Sequence, residues 1–306
     1  MLARPMELWI PITIAAAFLQ NIRSALQKIL KDPLSDVGAT FVRFGFGFPL
    51  AIAYLFALRQ WTGASLPAAN LEFAGYLVLG GSSQILATFL LVRLFSLRNF
   101  AVGTAYSKTE PLQAALFGLV LLGEGVHFAA ALGLLISTVG VCGVSVARSP
   151  LSTSGVLSSL VGRPARIGLG SGALFGVSAV SYRAASLALD GPGFLMPAAF
   201  TLACVTVYQT AAMGLYLAWR EPGQLSTVLA HWRPSAWVGV VGVAGSACWF
   251  TAMTLQNAAY VKALGQVELL FTFGVSTLYF RERVNRLEIW GIGGIVFGIA
   301  LLLLTT

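Results

Sequence analysis

NFAVGTAYSKTEPLQAALFGLVLLGEG, residues 99–125, has a counterpart in NAAYVKALGQVELLFTFGVSTLYFRER, residues 257–283. Each is an apolar stretch of helix length with a carboxylate near its middle. When the first residues are aligned, identical residues coincide at Asn99 and Asn257, Ala105 and Ala263, Glu110 and Glu268, and Glu124 and Glu282. This internal similarity predicts a chain built from one unit used twice.

The composition predicts an all-α integral membrane protein that lies in a lipid bilayer. The chain has 306 residues, of which 57 % are hydrophobic and 10 % charged, and its mean hydropathy is +0.82. Too few charged side chains are present to cover a soluble surface. The net charge of +8 lies mostly in short loops, where Lys and Arg act as topology signals, so no nucleic-acid partner is predicted.

Ten transmembrane helices are predicted, because a hydrocarbon core about 30 Å thick needs roughly 20 apolar residues per span. The runs of this kind are residues 8–29, 36–58, 71–93, 99–122, 127–147, 167–189, 193–219, 235–256, 258–280 and 287–305. A stretch rich in Ser, Pro and Gly, residues 148–166, is predicted to link two five-helix repeats, residues 1–147 and 167–306.

The two repeats are predicted to be inverted, because an odd number of spans in each half makes the second half enter the membrane from the opposite side. Inverted repeats place a binding site between the halves near the membrane midplane and permit alternating access. The loops after the odd-numbered spans hold Lys28, Lys31, Arg93, Arg98, Arg148, Arg163, Arg166, Arg220, Arg233, Arg281, Arg283 and Arg286, and the opposite loops hold Arg4 and Arg59. By the positive-inside rule, both termini face away from the cytoplasm of an inner-membrane protein.

Ionisable residues inside the predicted spans are the candidate functional residues. A charge at the bilayer centre costs about 2.5–3.5 kcal/mol even on insertion scales, so it normally faces a cavity or a partner. Once the span ends are set aside, the residues of this kind are Arg23, Arg43, Lys108, Glu110, Arg183, Lys262 and Glu268. Glu110 and Glu268 each lie about eleven residues into a span, roughly 17 Å deep, which is the midplane. Two interpretations are open for them: a substrate- or proton-binding pair, or neutralisation by a structural partner.

Lys108 cannot form a same-face pair with Glu110, because two residues along a helix correspond to about 200° of rotation. It therefore needs another partner. Lys262 and Gln266 are four residues apart and predicted to share one helix face, as are Thr104 and Lys108 in the first repeat. Lining of a substrate cavity is one interpretation of the two lysines. The alternatives are a structural ion pair or, for Lys262, snorkelling to the interface.

Arg23 and Arg183 occupy related positions in the first span of each half, and we expect them near the two mouths of a transport path. Snorkelling is the alternative for both. Arg43 has no basic counterpart and is interpreted as structural. Cations outnumber carboxylates in this set, which favours a substrate with a carboxylate or phosphate.

Other features of the repeats concern helix shape and packing. Pro111 removes one helix hydrogen bond and is expected to kink the fourth span, either as a bending point or without a gating role. Glu124 and Glu282 end their apolar runs and are assigned to tight turns. Close helix contacts are permitted by small residues spaced four apart, which are Gly168, Gly172, Gly176, Gly294 and Gly298. A capping box is predicted at Asn285 and Glu288.

Two sequence segments resemble the EamA-like permeases of the drug/metabolite transporter superfamily. They are PLQAALFGLVLLGEGVHFAAALGLLISTVGV, residues 111–141, and VELLFTFGVSTLYFRERVNRLEIWGIGGIVFGIALL, residues 267–302. The specific elements are the mid-helix carboxylate, the helix-ending Glu124 or Glu282, and the glycine-rich helix that follows. The second segment has Leu269 where the first has Pro111. The resemblance implies a secondary transporter, often an exporter of amino acids, other metabolites or drugs, and carries over no ligand contact.

The sequence therefore predicts a secondary active transporter, and not an enzyme, that exports a small anionic or zwitterionic metabolite such as an amino acid. The predicted substrate-binding residues are Lys108, Glu110, Lys262, Gln266, Glu268, Arg23 and Arg183. No metal or cofactor is predicted, and coupling to protons or to a counter-substrate is open, as is the choice between monomer and homodimer. The alternatives in function are efflux of cationic drugs and flipping of an anionic lipid head group.

Overall fold

The computed structural model describes residues 7–30, 33–95, 106–147, 162–191, 193–274 and 285–305. Within these ranges the chain consists of helices with short connections, and none of them contains a strand. Lipid offers no hydrogen-bond partner to a polypeptide backbone, so an apolar chain satisfies its N–H and C=O groups inside helices. The predicted all-α class is confirmed for these residues.

The helices are numbered here in chain order. They are α1 (Trp9–Ile29), α2 (Asp36–Gly45), α3 (Phe48–Thr62), α4 (Leu71–Phe95), α5 (Glu110–Leu122), α6 (Phe128–Ala147), α7 (Arg163–Leu187), α8 (Leu195–Arg220), α9 (Gln224–Ala230), α10 (Trp232–Leu255), α11 (Ala258–Leu264), α12 (Glu268–Gly274) and α13 (Arg286–Leu303). A short 3₁₀ helix, Gly265–Val267, joins α11 to α12.

Among the described residues, six helical segments are long and apolar enough to cross a membrane, which makes the chain a multi-pass membrane protein. They are Asp36–Thr62, Leu71–Leu94, Phe128–Ser145, Leu195–Arg220, Trp232–Leu255 and Arg286–Leu303. The apolar helix α5 is shorter, with 13 residues. The helices α1 and α7 agree with the predicted spans 8–29 and 167–189 to within a few residues, but they are more polar and do not belong to the six. The count of ten spans stays a prediction.

The chain divides into two compact units, and each takes one segment from either half of the sequence. The first unit comprises Met1–Ile85 and Ser181–Gln256, and the second comprises Leu86–Val180 and Asn257–Thr306. The predicted halves, residues 1–147 and 167–306, describe the repeat in the sequence and stay a prediction. A compact unit is therefore complete only when distant parts of the chain have come together.

In the first unit, α1 packs against α10, while α8 packs against α2, α3 and α10. One cluster of buried side chains includes Leu30, Leu34, Val42, Val228 and Val238. Another joins α3 to α8. Because lipid tails are as apolar as these side chains, close packing rather than expulsion from water holds such helices together.

In the second unit, glycines bring α6 and α13 into backbone contact. A Cβ atom added to Gly133 would lie 2.6 Å from the carbonyl oxygen of Gly298, and one added to Gly140 would lie 2.5 Å from that of Gly291. The order of these contacts shows that the two helices run antiparallel. Only residues without a side chain permit this approach, as was predicted for Gly298.

Glycines of α7 also lie against the chain near α5 in the second unit. A Cβ atom on Gly172 would lie 2.9 Å from the carbonyl oxygen of Ser107, and one on Gly176 would lie 3.1 Å from the backbone nitrogen of Ala114. The predicted close contacts at these two glycines are confirmed. They fix the start of α5 against α7.

The predicted turns and cap are present where the structure describes them. Asn285 and Glu288 form the capping box of α13, in which Glu288 Oε2 accepts a hydrogen bond of 3.2 Å from the N–H of Asn285. After α5, Gly123 has a φ of 66°, and the N–H of Glu124 donates to the carbonyl oxygen of Gly118 at 3.1 Å. Glu124 thus belongs to the turn that closes α5, whereas Glu282 lies outside the described residues.

Candidate functional site

Both spans that carry the central glutamates change their helical geometry at the glutamate. Lys108 and Thr109 form a turn, and α5 begins at Glu110. Pro111 lies in the first turn of α5, where its missing N–H is not needed, and its ring disfavours helix on the preceding side. In the other span, the 3₁₀ helix Gly265–Val267 ends where α12 begins at Glu268. The second interruption occurs without a proline, so the sequence comparison missed it.

Four charged side chains of the second unit form two crossed ion pairs next to these interruptions. Lys108 Nζ contacts Glu268 Oε1, and Lys262 Nζ lies 2.8 Å from Glu110 Oε1. The exposed fractions of the four side chains lie between 10 % and 29 %. Each pair joins one span to the other. An isolated charge inside the protein costs several kcal/mol, and a partner of opposite charge offsets that penalty.

The prediction that Lys108 needs a partner other than Glu110 is confirmed. The structure also shows that each glutamate contacts a lysine, which was one of the two interpretations that the sequence left open. Lys262 is held inside the unit by Glu110, so it does not reach out to the interface. A ligand-binding role for the four residues stays a prediction, and Thr104 lies outside the described residues.

Two glutamines beside the ion pairs have unused acceptor atoms. Gln266 Nε2 donates to the carbonyl oxygen of Lys108 at 3.4 Å, and Gln113 Nε2 donates to Thr109 Oγ1 at 2.8 Å. The Oε1 atom of each glutamine is buried and accepts no hydrogen bond from any described residue. A buried unbonded acceptor costs about 1–3 kcal/mol, so both atoms are places where a hydrogen-bond donor of a ligand would be stabilised. Gln113 was not among the predicted site residues.

Arg183, in the first unit, binds the end of α10. Its Nη1 atom donates to the carbonyl oxygens of Met253 at 2.7 Å, Gln256 at 2.9 Å and Thr254 at 3.3 Å. The last carbonyl groups of a helix have no partner within the helix and carry its negative dipole end. These contacts account for the position of Arg183 without a ligand, and its predicted place near a mouth of the path stays a prediction.

Arg23 of α1 and Arg43 of α2 lie over the same glycine of α10. A Cβ atom on Gly242 would be 3.6 Å from Arg23 Cδ and 3.6 Å from Arg43 Cγ. Arg43 Nη2 makes a long contact of 3.4 Å with Ser246 Oγ, and the Nε atom of Arg23 is buried without a hydrogen-bond partner. Among the described residues, no carboxylate forms an ion pair with either guanidinium. The sequence had led to the interpretation of Arg43 as a structural residue, without identifying a partner for its guanidinium group.

A small cavity of about 10 Å³ adjoins Arg43 in the first unit. Its lining includes Thr206, Gln209, Gly242, Ser246 and Phe250. This volume is near the minimum for one water molecule, so the cavity as it stands holds no metabolite.

Gln209 is a buried amide residue in the largely apolar α8, and it is 1 % exposed. Its Nε2 atom lies within hydrogen-bond distance of Gln84 Oε1 at 2.9 Å, Tyr182 Oη at 3.1 Å and the carbonyl oxygen of Gly81 at 3.2 Å. Tyr182 Oη also donates to Gln84 Oε1 at 3.0 Å. This network was not predicted, although a lone glutamine in each of two apolar helices was the available signal.

The described side chains around the ion pairs of the second unit and around Arg23 and Arg43 of the first unit are suited to binding charged or polar groups through ion pairs and hydrogen bonds. Across the described ranges, no three His, Cys, Asp or Glu side chains lie together in a way that would hold a metal ion. The charged groups in the two places are Lys, Arg and Glu side chains.

Comparison with known proteins agrees with this architecture. The model of the EamA-like transporter family matches residues 7–146 and 167–304. A solved structure described only as "Crystal structure of protein" has the same fold, with a TM-score of 0.69, 16 % sequence identity and coverage of 97 % of each chain. No curated protein matches the chain significantly. Because the family model covers nearly the whole chain, this protein belongs to the EamA-like transporter family.

Proposed function

We propose that this protein is a secondary active transporter that exports a small zwitterionic or anionic metabolite across the inner membrane by alternating access. Its family consists of transporters, which supports the transport of a small molecule. The proposal includes ten transmembrane helices in two inverted five-helix repeats, with both termini away from the cytoplasm. Coupling to protons or to a counter-substrate completes the cycle.

Crosswise contacts in the second unit support the inverted repeat. In the sequence repeat, Gly291 corresponds to Gly133 and Gly298 to Gly140. In space, Gly133 contacts Gly298 and Gly140 contacts Gly291. A local two-fold axis would exchange Gly133 with Gly291 and Gly140 with Gly298. It would therefore turn the contact between Gly133 and Gly298 into the contact between Gly291 and Gly140, which is the pattern observed.

The observation that carries the proposal is the coincidence of interrupted helices with crossed ion pairs at Glu110 and Glu268. Interrupted helices at membrane depth are tolerated where backbone is buried in protein or lines a cavity, and in secondary transporters they form the substrate site. Lys108, Glu110 and Glu268 lie at the interruptions themselves, and Lys262 lies three residues before Gly265.

The ion pairs fit a zwitterionic substrate, because such a molecule brings both charges that the pairs require. A substrate carboxylate replaces a glutamate as the partner of a lysine, and a substrate ammonium replaces a lysine as the partner of a glutamate. The unused Oε1 atoms of Gln113 and Gln266 accept further hydrogen bonds from that ammonium. The site stays neutral throughout, so exchange of partners avoids the penalty of an isolated charge.

Transport into and out of proteoliposomes tests this proposal with radiolabelled amino acids as the probes. We expect the Glu110→Gln and Glu268→Gln proteins to lose about tenfold or more in rate, because each leaves a lysine without its partner and weakens a charged hydrogen bond. Glu72→Gln is the matched control, since Glu72 lies exposed at the start of α4. Folded Glu110→Gln and Glu268→Gln proteins that transport at the wild-type rate would show the site assignment to be wrong.

Exchange of the charges separates a transport role from a structural one. In the double variant Lys108→Glu with Glu268→Lys, the ion pair is restored in reverse. We expect this protein to recover stability but not transport, because a substrate would meet each charge in the wrong place. Recovery of both would assign the pair to structure alone.

A further inference from the structure

Two arginines of the first unit converge on one place from different helices. Arg23 lies six residues before the end of α1, and Arg43 lies seven residues after the start of α2. At 1.5 Å per residue, both are roughly 10 Å from the connection between these helices. Side-chain carbons of both arginines lie beside Gly242.

The absence of a side chain at position 242 makes room for both arginines. Gly242 belongs to α10, which packs against both α1 and α2. A Cβ atom alone would make ordinary van der Waals contact with Arg23 Cδ and Arg43 Cγ, so a side chain much larger than that of alanine would compete with both for space. The local packing therefore places the side-chain stems of two cationic residues against the same glycine.

Neither charge is neutralised within the part of the chain that the structure describes. No described carboxylate pairs with Arg23 or Arg43, in contrast to the lysines of the second unit, each of which contacts a glutamate. Two like charges in a region of low dielectric repel each other, and each also loses hydration. An anion between them would remove both penalties.

The hydrogen-bond donors of the two side chains are largely unused. Arg23 Nε is buried without an acceptor, and the contact of Arg43 Nη2 with Ser246 Oγ is long, at 3.4 Å. Guanidinium groups bind carboxylate and phosphate oxygens through paired N–H donors. The hydroxyl group of Ser246 adds a third donor next to Arg43. The two guanidinium groups are suited to oxyanions and would repel a cation.

We propose that Arg23 and Arg43 form an oxyanion-binding site in the first unit, with Ser246 as a further donor, that takes the carboxylate or phosphate group of a small metabolite. The assignment of this metabolite as transported cargo rests on the proposed function, whereas the binding of the anion does not. The adjoining cavity has room for about one water molecule, so an oxyanion enters by replacing the Arg43–Ser246 contact and turning the guanidinium groups toward itself.

Binding is tested with purified protein in uncharged detergent, so the result does not depend on transport. The probes are potassium acetate, sodium glutamate and potassium phosphate, with potassium chloride at equal ionic strength as the reference. We expect at least one oxyanion to raise the apparent melting temperature in a saturable way, because a ligand of the folded state stabilises it by mass action.

Arg23→Gln and Arg43→Gln should raise the apparent Kd of that probe about tenfold or more, the loss expected for a charged hydrogen bond. Arg43→Lys keeps the charge and should retain part of the affinity. The matched control is Arg59→Gln, since Arg59 is an exposed arginine of the same unit, and it should leave the Kd unchanged. Because Arg23→Gln removes an unpaired charge, we expect the ligand-free protein to melt at the same temperature as the wild type or higher.

Two outcomes would overturn the proposal: an absence of stabilisation by any of the three oxyanions, or equal stabilisation of the wild type and the Arg23→Gln and Arg43→Gln variants. A parallel measurement in nanodiscs of phosphatidylcholine with and without phosphatidylglycerol identifies the source of the anion. Stabilisation by phosphatidylglycerol that depends on both arginines would assign the site to a lipid phosphate. Oxyanion binding without transport would leave this site in place and contradict only the proposed function.

Discussion

Gly298→Ala is expected to destabilise the second unit, although alanine is the better helix former. An added Cβ atom would lie 2.5 Å from the carbonyl oxygen of Gly133 and 2.7 Å from the backbone nitrogen of Ser137. Both neighbours are backbone atoms of α6, so no side chain can turn away to make room. The helices α6 and α13 must then separate by about 1 Å to reach an ordinary van der Waals distance.

The size of the effect follows from two opposing terms. Overpacking of a close contact costs about 1–3 kcal/mol. Replacement of glycine by alanine inside a helix contributes about 0.5–1 kcal/mol of stability. We therefore expect a net loss of up to about 2 kcal/mol for Gly298→Ala. Gly293→Ala, in the same helix, is the matched control because its Cβ atom meets no other atom within 4 Å, and it should be neutral or stabilising.

Thermal unfolding of the two purified variants in one detergent, followed by intrinsic fluorescence at a fixed scan rate, measures this difference. The fixed rate matters because large membrane proteins often unfold irreversibly. We expect Gly293→Ala to have the highest melting temperature, the wild type an intermediate one and Gly298→Ala the lowest. A Gly298→Ala protein that is as stable as Gly293→Ala would refute the packing of α6 against α13 described above.

Further predictions concern charge and topology. Glu268→Gln should lower the free energy of unfolding by about 3–5 kcal/mol, because it leaves the ammonium group of Lys108 without its partner. The double variant that also carries Lys108→Met should regain most of that loss in the same unfolding assay. Arg183→Gln removes charged hydrogen bonds to the end of α10 and should lower the free energy of unfolding by about 1.5–3 kcal/mol. Arg166→Gln, at an exposed position of α7, the helix that also carries Arg183, should have little effect on it. A reporter that is active only in the cytoplasm should be silent when fused after Thr306, and activity there would contradict the predicted orientation.

Local features of this fold could be predicted because they depend on neighbouring residues. The apolar runs gave helix ends close to those of α4, α6 and α13, since the length of a membrane span is set by the bilayer. The capping box at Asn285 follows from the four residues that form it. The prediction that Lys108 pairs with a residue other than Glu110 rested on a continuous helix, whereas in the structure Lys108 lies in a turn before α5, so the outcome was right although its premise was not.

Features that depend on contacts between distant helices could not be predicted. The sequence indicates that Lys108 needs a partner, but only tertiary packing selects Glu268. Arg43 was interpreted as structural because it has no basic counterpart in the second half, and its lack of a carboxylate partner among the described residues shows only when α1, α2 and α10 are packed. The interruption at Gly265–Val267 could not be predicted, because no proline marks it. Gly265 is not a distinctive signal either, since glycine is common in the apolar helices of this chain.

The composition of the compact units has a consequence for biogenesis. Glu110 leaves the ribosome long before its partner Lys262, and the intervening chain takes on the order of 10 s to synthesise at about 5–20 residues per second. During this interval Glu110 and Lys108 are already in or near the membrane without their lysine and glutamate partners. The insertion machinery, water or transient protonation must stabilise these charges until α11 and α12 arrive. Ribosome pausing between the two halves would lengthen that exposure, which makes the rate of synthesis itself a determinant of the folded yield.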